Sequence, residues 1–286
     1  MTLLKADLHI HTTASDGKLT PAQIVALALE TDLDVIAITD HDTLAGVEEA
    51  RNSAAGTALR VVQGVEISTL FEGRECHLLA YGFGDTDLVR QLLSGQKDRR
   101  MRRARSIISK LNRLGFNITF DDVLGEAGRA SLGRPHIARV MIKKGYAADM
   151  QEVFLRFLGE EASAYHRIDY PEAIRVIEMV HKAGGVAVLA HPGNNYNFLE
   201  IKELKDAGLD GIECYHSSHN STHTRRYLDY CNSHGLIPTG GSDFHGNVSD
   251  YYQFGVLHIP LDPGSPLLEN PAGLVNDSKN TYIETL

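Results

Sequence analysis

The residues with the greatest chemical potential begin with Asp7-Leu8-His9-Ile10-His11, an alternating histidine pair at the end of an apolar run. Side chains at i and i+2 of a strand share a face, so His9 and His11 can close on one metal ion from a single strand end. Taken alone, the pair could equally be two histidines on the polar side of an edge strand. Further donors follow: Asp16, the Thr39-Asp40-His41-Asp42 cluster, Glu66, His77, His191 and the Asp243-Phe244-His245 set. Imidazole and carboxylate without thiolate suit manganese, iron or zinc, and shared carboxylates let ions sit within about 4 Å of each other. The set His9, His11, Asp16, His41, Glu66, His77, His191, Asp243 and His245 exceeds the need of one ion and predicts two or three divalent ions. Manganese is the expected metal, with iron and zinc compatible with the same donors. Asp40 and Asp42 are read as groups that orient His41 or, for Asp42, as the cap of the next helix.

Such donors meet only if distant segments converge. Leu3–Ile10, Val35–Thr39, Leu59–Ser68 and Cys76–Phe83 read as strands, the last joined to the third through the polar, hairpin-like stretch Phe71–Glu75. Thr20-Pro21 opens a helix to about Glu30, with Thr as cap and Pro at the first position, and a second helix covers about Leu44 to Ser53. The alternation breaks at about Asp87. From there to Tyr165 the chain reads as helical, with one long helix at Leu88–Leu114 and shorter ones at Asp121–Ala127, Pro135–Lys143 and Asp149–Leu158. Helices Tyr170–Ala183, Leu199–Ala207 and Ser221–His234 then alternate with strands Gly185–Ala190, Gly211–Tyr215 and Leu236–Gly240. Phe254–Ile259 is the expected last strand, and the tail after Pro260 an irregular wrap. Repeated strand–helix units favour a parallel sheet closed into a barrel, with its chemistry at the strands' C-terminal ends. His9/His11, Asp40/His41, Glu66, His191 and Asp243/His245 fall at or just past those predicted ends. The expected division is a barrel from 1–86 and 166–286, with 87–165 as an inserted helical substrate-binding subdomain.

At 286 residues the chain exceeds the usual single core, which fits a large α/β domain with an insertion. The net charge of −9 argues against a general nucleic-acid coat protein. Cys76, Cys214 and Cys231 are far apart and odd in number, so neither a disulfide framework nor a thiolate zinc site is favoured. Strand alternation turns Cys76 away from His77 and into the core. Lys5 and Asp7 interrupt the first apolar stretch and no run is long enough to span a bilayer, so a soluble, cytoplasmic protein is expected, with no membrane and no obligate protein partner.

Together, Asp7-Leu8-His9-Ile10-His11, Thr39-Asp40-His41-Asp42, Gly64-Val65-Glu66-Ile67, Ala190-His191-Pro192 and Gly241-Ser242-Asp243-Phe244-His245-Gly246 resemble the PHP (polymerase and histidinol phosphatase) family of the amidohydrolase superfamily. The resemblance implies an α/β fold, a distorted (β/α)7 TIM-like barrel holding a trinuclear metal centre. Carried over by motif, His9, His11, Glu66 and Asp243 would hold the first ion. Glu66 would bridge to a second with His77 and His191, and Asp16, His41 and His245 would hold the third. Asp16 stands where some relatives place histidine.

A polynuclear hard-cation site supplies a hydroxide nucleophile and neutralises substrate oxyanions, which suits hydrolysis of a phosphate ester. The insertion supports phosphate over amide, because Lys97–Arg105 is a dense cationic stretch and Arg99, Arg102 and Arg103 share a helix face by spacing. Gly133-Arg134-Pro135-His136 puts cations at a helix start, and Ser131, Arg134 and His136 read as a phosphate-binding turn. Two cationic elements over a phosphate-cleaving centre point to a nucleotide with more than one phosphate. The long helix, the Gly-Arg-Pro-His turn and Gly211-Ile212-Glu213-Cys214-Tyr215-His216 are similar to the branch of 3',5'-nucleoside bisphosphate phosphatases and short-RNA 5'-3' exoribonucleases. That implies hydrolysis of pAp to AMP and phosphate. The alternatives are exonuclease action on short RNA, histidinol phosphate hydrolysis, or a non-catalytic metal scaffold. His216 and His136 are the candidate acids for the leaving group.

Overall fold

Val-Ile-Ala-Ile at 35–38 and Val-Ala-Val-Leu at 186–189 are apolar on both faces, as strands covered on both sides must be. Both are almost wholly buried in the computed structural model, which describes residues 2–84 and 86–268. The strands are β1 (Leu4–Ile10), β2 (Val35–Ile38), β3 (Arg60–Phe71), β4 (Arg74–Tyr81), β5 (Val186–Leu189), β6 (Gly211–His216), β7 (Ile237–Gly241) and β8 (Ile259–Leu261). They form one eight-stranded sheet in the order β7-β6-β5-β4-β3-β2-β1-β8. The sheet curls until its ends nearly meet. His11 N–H donates to the Phe244 carbonyl and Asp243 N–H to that of His9, both at 2.9 Å, joining β1 to the chain just past β7.

The helices are α1 (Pro21–Glu30), α2 (Val47–Ala54), α3 (Asp87–Arg113), α4 (Phe120–Ala127), α5 (Arg134–Lys143), α6 (Met150–Val153), α7 (Ala173–Lys182), α8 (Phe198–Asp206) and α9 (Ser221–His234). Helix α1 starts as expected: Thr20 accepts from Gln23 N–H, the Gln23 side chain answers, and Pro21 follows. A cluster of Leu8, Val35, Val62, Leu79, Val188 and Ile259, drawn from six strands, fills the barrel. A second cluster packs Ile67, Leu78 and Ile212 against Val176, Ile201 and Tyr227 of the surrounding helices. The α3–α6 segment carries its own core, including Ile107, Val123, Ile137, Met141 and Val153.

Three expectations are corrected. The sheet is not wholly parallel, because β4 runs antiparallel to both β3 and β5. Glu72-Gly73, with φ of 47° and 76°, makes a two-residue turn between Phe71 and Arg74, and so short a link can only form a hairpin. The last strand is not Phe254–Ile259. Phe254 turns inward onto Phe244, with ring centres 4.8 Å apart, and the strand is Ile259–Leu261, antiparallel to β1. Pro260 is tolerated there because β8 is an edge strand. Finally, α2 starts at Val47 behind Gly46, so Asp42 does not cap it. Within the expected tail wrap, Pro266–Leu268 form a 3-10 turn whose leucines join the barrel cluster, and the part from 269 onward lies outside the described residues. Among the described residues no helix is long and apolar enough to cross a membrane.

Barrel closure demands a glycine at 241, where a Cβ would lie 2.3 Å from His9 N. Gly241→Ala is therefore expected to destabilise the metal-free protein by about 1–3 kcal/mol, read from urea unfolding.

Candidate metal centre

The Glu66 carboxylate, 1% exposed, sits within β3 and collects imidazoles from four other segments. Its Oε1 lies 2.7 Å from His77 Nδ1 and 2.9 Å from His191 Nε2. Its Oε2 lies 3.0 Å from His41 Nδ1, 3.2 Å from His11 Nε2 and 3.4 Å from His9 Nε2. Asp243 Oδ1 completes one corner, 3.3 Å from His9 Nε2 and 3.1 Å from His11 Nε2. Asp16 closes the opposite side, 3.4 Å from His245 Nε2, 3.8 Å from His11 Nδ1 and 4.0 Å from His41 Nε2. All nine expected ligands thus converge at one end of the barrel.

These residues fit metal ions. Ligand atoms about 2.1 Å from a shared ion stand roughly 3.0–3.5 Å apart, the spacing seen here. Glu66 Oε2, Asp16 Oδ1 and His41 Nδ1 are buried without a hydrogen-bond partner among the described residues, although each has a polar neighbour within 4.0 Å. Atoms that crowd together without hydrogen-bond geometry are aimed at common points between them. Three clusters share members: His9, His11 and Glu66; His41, Glu66 and His77; and His11, Asp16, His41 and His245. His191 joins the centre through Glu66 Oε1 and packs its ring against His77, 5.3 Å between centres.

Neighbouring groups fix the donors. Glu213 accepts from His9 Nδ1 at 2.9 Å and from His191 N–H at 2.7 Å, leaving His9 Nε2 to face Glu66 and Asp243. Asp40 accepts from Thr12 N–H, Thr12 Oγ1 and Ser15 Oγ at 2.6–2.7 Å, so it fixes the loop that carries Asp16 rather than orienting His41. His191 and Asp243 hold φ of 26° and 53°, strain that side chains other than glycine tolerate only where the surroundings impose it.

Burial alone would raise the carboxyl groups, but the histidines outweigh it. His41, His77 and His9 hold Glu66 well below its usual range, and His9 and His245 do the same for Asp243. Burial disfavours the charged form of His245, yet Asp16 and Asp243 raise it to about 10.

Sequence reasoning left Glu213 and His216 out of the ligand set. A bulge in β6 between Glu213 and Tyr215 breaks the two-residue alternation, and both Glu213 and His216 reach the centre. His216 Nε2 lies 3.3 Å from Asp243 Oδ2 and close enough to His9 to form a fourth donor cluster. Its Nδ1 is held by Ser218, whose N–H lies 3.1 Å and whose Oγ lies 2.8 Å away. His136 is arranged alike, its Nδ1 accepting from Gly133 N–H at 3.1 Å.

The cationic residues divide. Arg103 and Arg134 bind the two oxygens of Glu75 at 2.9 and 3.1 Å, with Tyr165 beside both. Ser131 ties this turn to the Asp16 loop through its N–H to the Ala14 carbonyl at 2.8 Å. Arg99 donates to the Asp169 carbonyl at 2.8 Å, and Arg102 is exposed. The face of α3 turned to the barrel holds Gln96, Arg100 and Arg103 instead. Arg100, absent from the expected set, donates to Asp42 at 2.5 Å, to Ser68 Oγ at 2.8 Å and to the Leu132 carbonyl at 3.4 Å.

Two outcomes follow from this geometry. Glu213→Gln should weaken metal binding about 10–100-fold, measured by competition with a chelating dye, because the neutral amide has one acceptor oxygen for the two donors, His9 and His191. For His245, a folded value near 10 against 6.5 unfolded gives stability that is complete below pH 6.5 and lost as pH rises through 10. The melting temperature of EDTA-treated protein should therefore fall over that window, and excess manganese should reverse the fall.

The PHP domain profile matches residues 7–186. A 5'-3' exoribonuclease of Haemophilus influenzae is 34% identical over 84% of this chain and 90% of its own length. A phosphoribosyl 1,2-cyclic phosphate 1,2-diphosphodiesterase of Eggerthella lenta is 34% identical over 84% and 94%. A 3',5'-nucleoside bisphosphate phosphatase of Chromobacterium violaceum is 30% identical over 84% and 86%. A crystal structure from Bifidobacterium adolescentis, described as a metal-dependent phosphoesterase, superimposes with a TM-score of 0.79 at 30% identity, covering 94% of this chain and 93% of that one. The nearly closed eight-stranded barrel, the shared carboxylate of Glu66 and these likenesses agree: the chain belongs to the PHP domain family and has the fold of its metal-dependent phosphoesterases.

Proposed function

We propose that the chain removes the 3'-phosphate of nucleoside 3',5'-bisphosphates, converting pAp and water to AMP and phosphate. The observation that carries this reading is the Arg103–Arg134 pair held over Glu75. Glu75 and His77 lie on one face of β4, about 7 Å apart along the strand, a distance that one sugar can bridge. A phosphate displacing Glu75 from these arginines would place the other phosphate of the same nucleotide at the metal centre. Arginine forks suit that role because they pair with phosphate through two parallel hydrogen bonds.

When bound, the ions would supply the hydroxide nucleophile and neutralise the phosphoryl oxygens, and manganese is the metal we assign. The protein's own groups do the rest. Glu213 holds the His9 ring, Asp40 holds the Asp16 loop, and His216, whose Nε2 lies beside Asp243, is placed to protonate the departing 3'-oxygen. The substrate is a small phosphorylated nucleotide, and no protein partner is needed to complete the centre.

The second reading is 5'-3' exoribonuclease action on short RNA, favoured by the Haemophilus relative. It uses the same clamp for a 5'-phosphate and the same attack at the 3' side. Histidinol phosphate, with one phosphate, would leave the arginine pair without a task.

Phosphate release by manganese-loaded protein from pAp, 3'-AMP, 5'-AMP, histidinol phosphate and a 5'-phosphorylated short RNA tests the proposal. The expected result is a preference for pAp over 3'-AMP of about tenfold or more, lost in Arg134→Ala, as removal of a charge-assisted hydrogen bond predicts. Equal turnover of all monoesters would overturn it.

A further inference from the structure

The loop after β5 carries His191 into the metal centre, and its backbone is strained where it does so. His191 has a φ of 26°, directly before Pro192, and Gly193 has a φ of 49°. For a histidine such a conformation persists only where the surroundings impose it. One restraint is Glu213, which accepts from His191 N–H at 2.7 Å. The others come from α9 and the turn before it. Gly193 N–H donates to His219 Nε2 at 3.0 Å, and the Gly193 carbonyl accepts from the Tyr227 hydroxyl at 2.7 Å. Further along, His223 Nε2 lies 3.0 Å from Asn194 Oδ1, and Arg226 donates to the Tyr196 carbonyl at 3.1 Å. His219, His223, Arg226 and Tyr227 follow at spacings of four, three and one, so one side of α9 and its leading turn grips the loop along its length.

His219 joins two segments of the site. Its Nδ1 donates to the Cys214 carbonyl at 3.0 Å, within the β6 bulge. A carbonyl can only accept and a backbone N–H can only donate. The ring is therefore neutral, with its proton on Nδ1 and its lone pair on Nε2. Burial, which pushes the ring below the usual imidazole range, favours that form. Strand β6 is fixed on both sides of the bulge, because Glu213 pairs with Thr239 and Tyr215 with Gly240 of β7. The imidazole is thus a strut from a fixed strand to a strained loop.

We propose that His219 is a positioning residue for the ion that His77, His191 and Glu66 Oε1 would hold. It acts through the loop and not as a ligand. By holding the Gly193 peptide it keeps the His191 ring 2.9 Å from Glu66 Oε1. Glu213 restrains His9 as well as His191, so its loss reaches both sides of Glu66. His219 restrains the His191 loop, so its loss is confined to the Oε1 side. The donors gathered at Oε2, His9, His11 and His41, keep their places. This role is the same whichever phosphate ester is cleaved.

The test is titration of the metal-stripped full chain with Mn(II), the free ion being followed by its EPR signal. His219→Phe keeps a ring beside Tyr227 but removes both hydrogen bonds. It should weaken one manganese site about tenfold or more and leave the others within about twofold of the parent. His219→Gln, whose amide oxygen can still accept from Gly193 N–H, should recover most of that loss. Tyr227→Phe frees the other side of the same peptide by removing one hydroxyl. It should weaken the same site, and it decides the question if His219→Phe does not fold. In a His191→Ala background that site is already lost, so His219→Phe should change nothing further. The role is overturned if His219→Phe, or Tyr227→Phe in its place, binds manganese as the parent does or weakens every site together. It is equally overturned if His219→Gln binds no better than His219→Phe, or if His219→Phe costs as much without His191 as with it.

Discussion

An ionised carboxylate buried in a protein needs positive charge around it, since leaving it unpaired away from water is prohibitively costly. Around Glu66 stand His9 and His11 from β1, His41 after β2, His77 on β4 and His191 after β5, donors for the cations that would supply that charge. Those segments meet only when the sheet has curled round. The charge at the centre and closure of the barrel therefore depend on each other, and ions bound at Glu66 would contribute directly to folding stability. The closure itself uses the site's own backbone, for the hydrogen bonds joining β1 to the chain after β7 involve His9, His11, Asp243 and Phe244.

The helical insertion is attached to this centre by charge as well as by packing. Asp42 follows the His41 ligand, has a φ of 53°, and accepts from Ser68 N–H, Gln96 and Arg100. Arg100 also reaches Ser68, two residues past Glu66, and the carbonyl of Leu132 in the turn that opens α5. One guanidinium thus connects two strands bearing ligands to the turn that presents Arg134. Loss of Asp42 or Arg100 would leave its partner charged and buried, which is far more damaging than replacing both together. The placement of the proposed Arg103–Arg134 clamp relative to the metal centre depends on this contact.

Much of this was legible in residue types and spacing. The ends of β1 and β2, the donors on them and the pairing of Asp243 with His245 could be read because strand alternation and apolar runs are local signals. Cys76 lies in the core and His77 on the site, as alternation requires. What escaped reading depended on irregular backbone or on tertiary partners. The bulge in β6 carries Glu213, unassigned from the sequence, to the centre along with His216, which was read only as a candidate acid. Helical spacing groups Arg99, Arg102 and Arg103, but only packing decides that Arg100 and Arg103 turn inward while Arg102 faces solvent. The apolar stretch at Phe254 resembles a strand, and its folding back onto Phe244 could not be foreseen without the neighbouring ring.

The most direct test of the central claim, that Glu66 is the shared ligand of a polynuclear centre, is an anomalous difference map from crystals grown with manganese. The account predicts two or three peaks within about 4 Å of one another, with Glu66 contacting at least two. A single peak, or peaks that leave Glu66 uncoordinated, would contradict it.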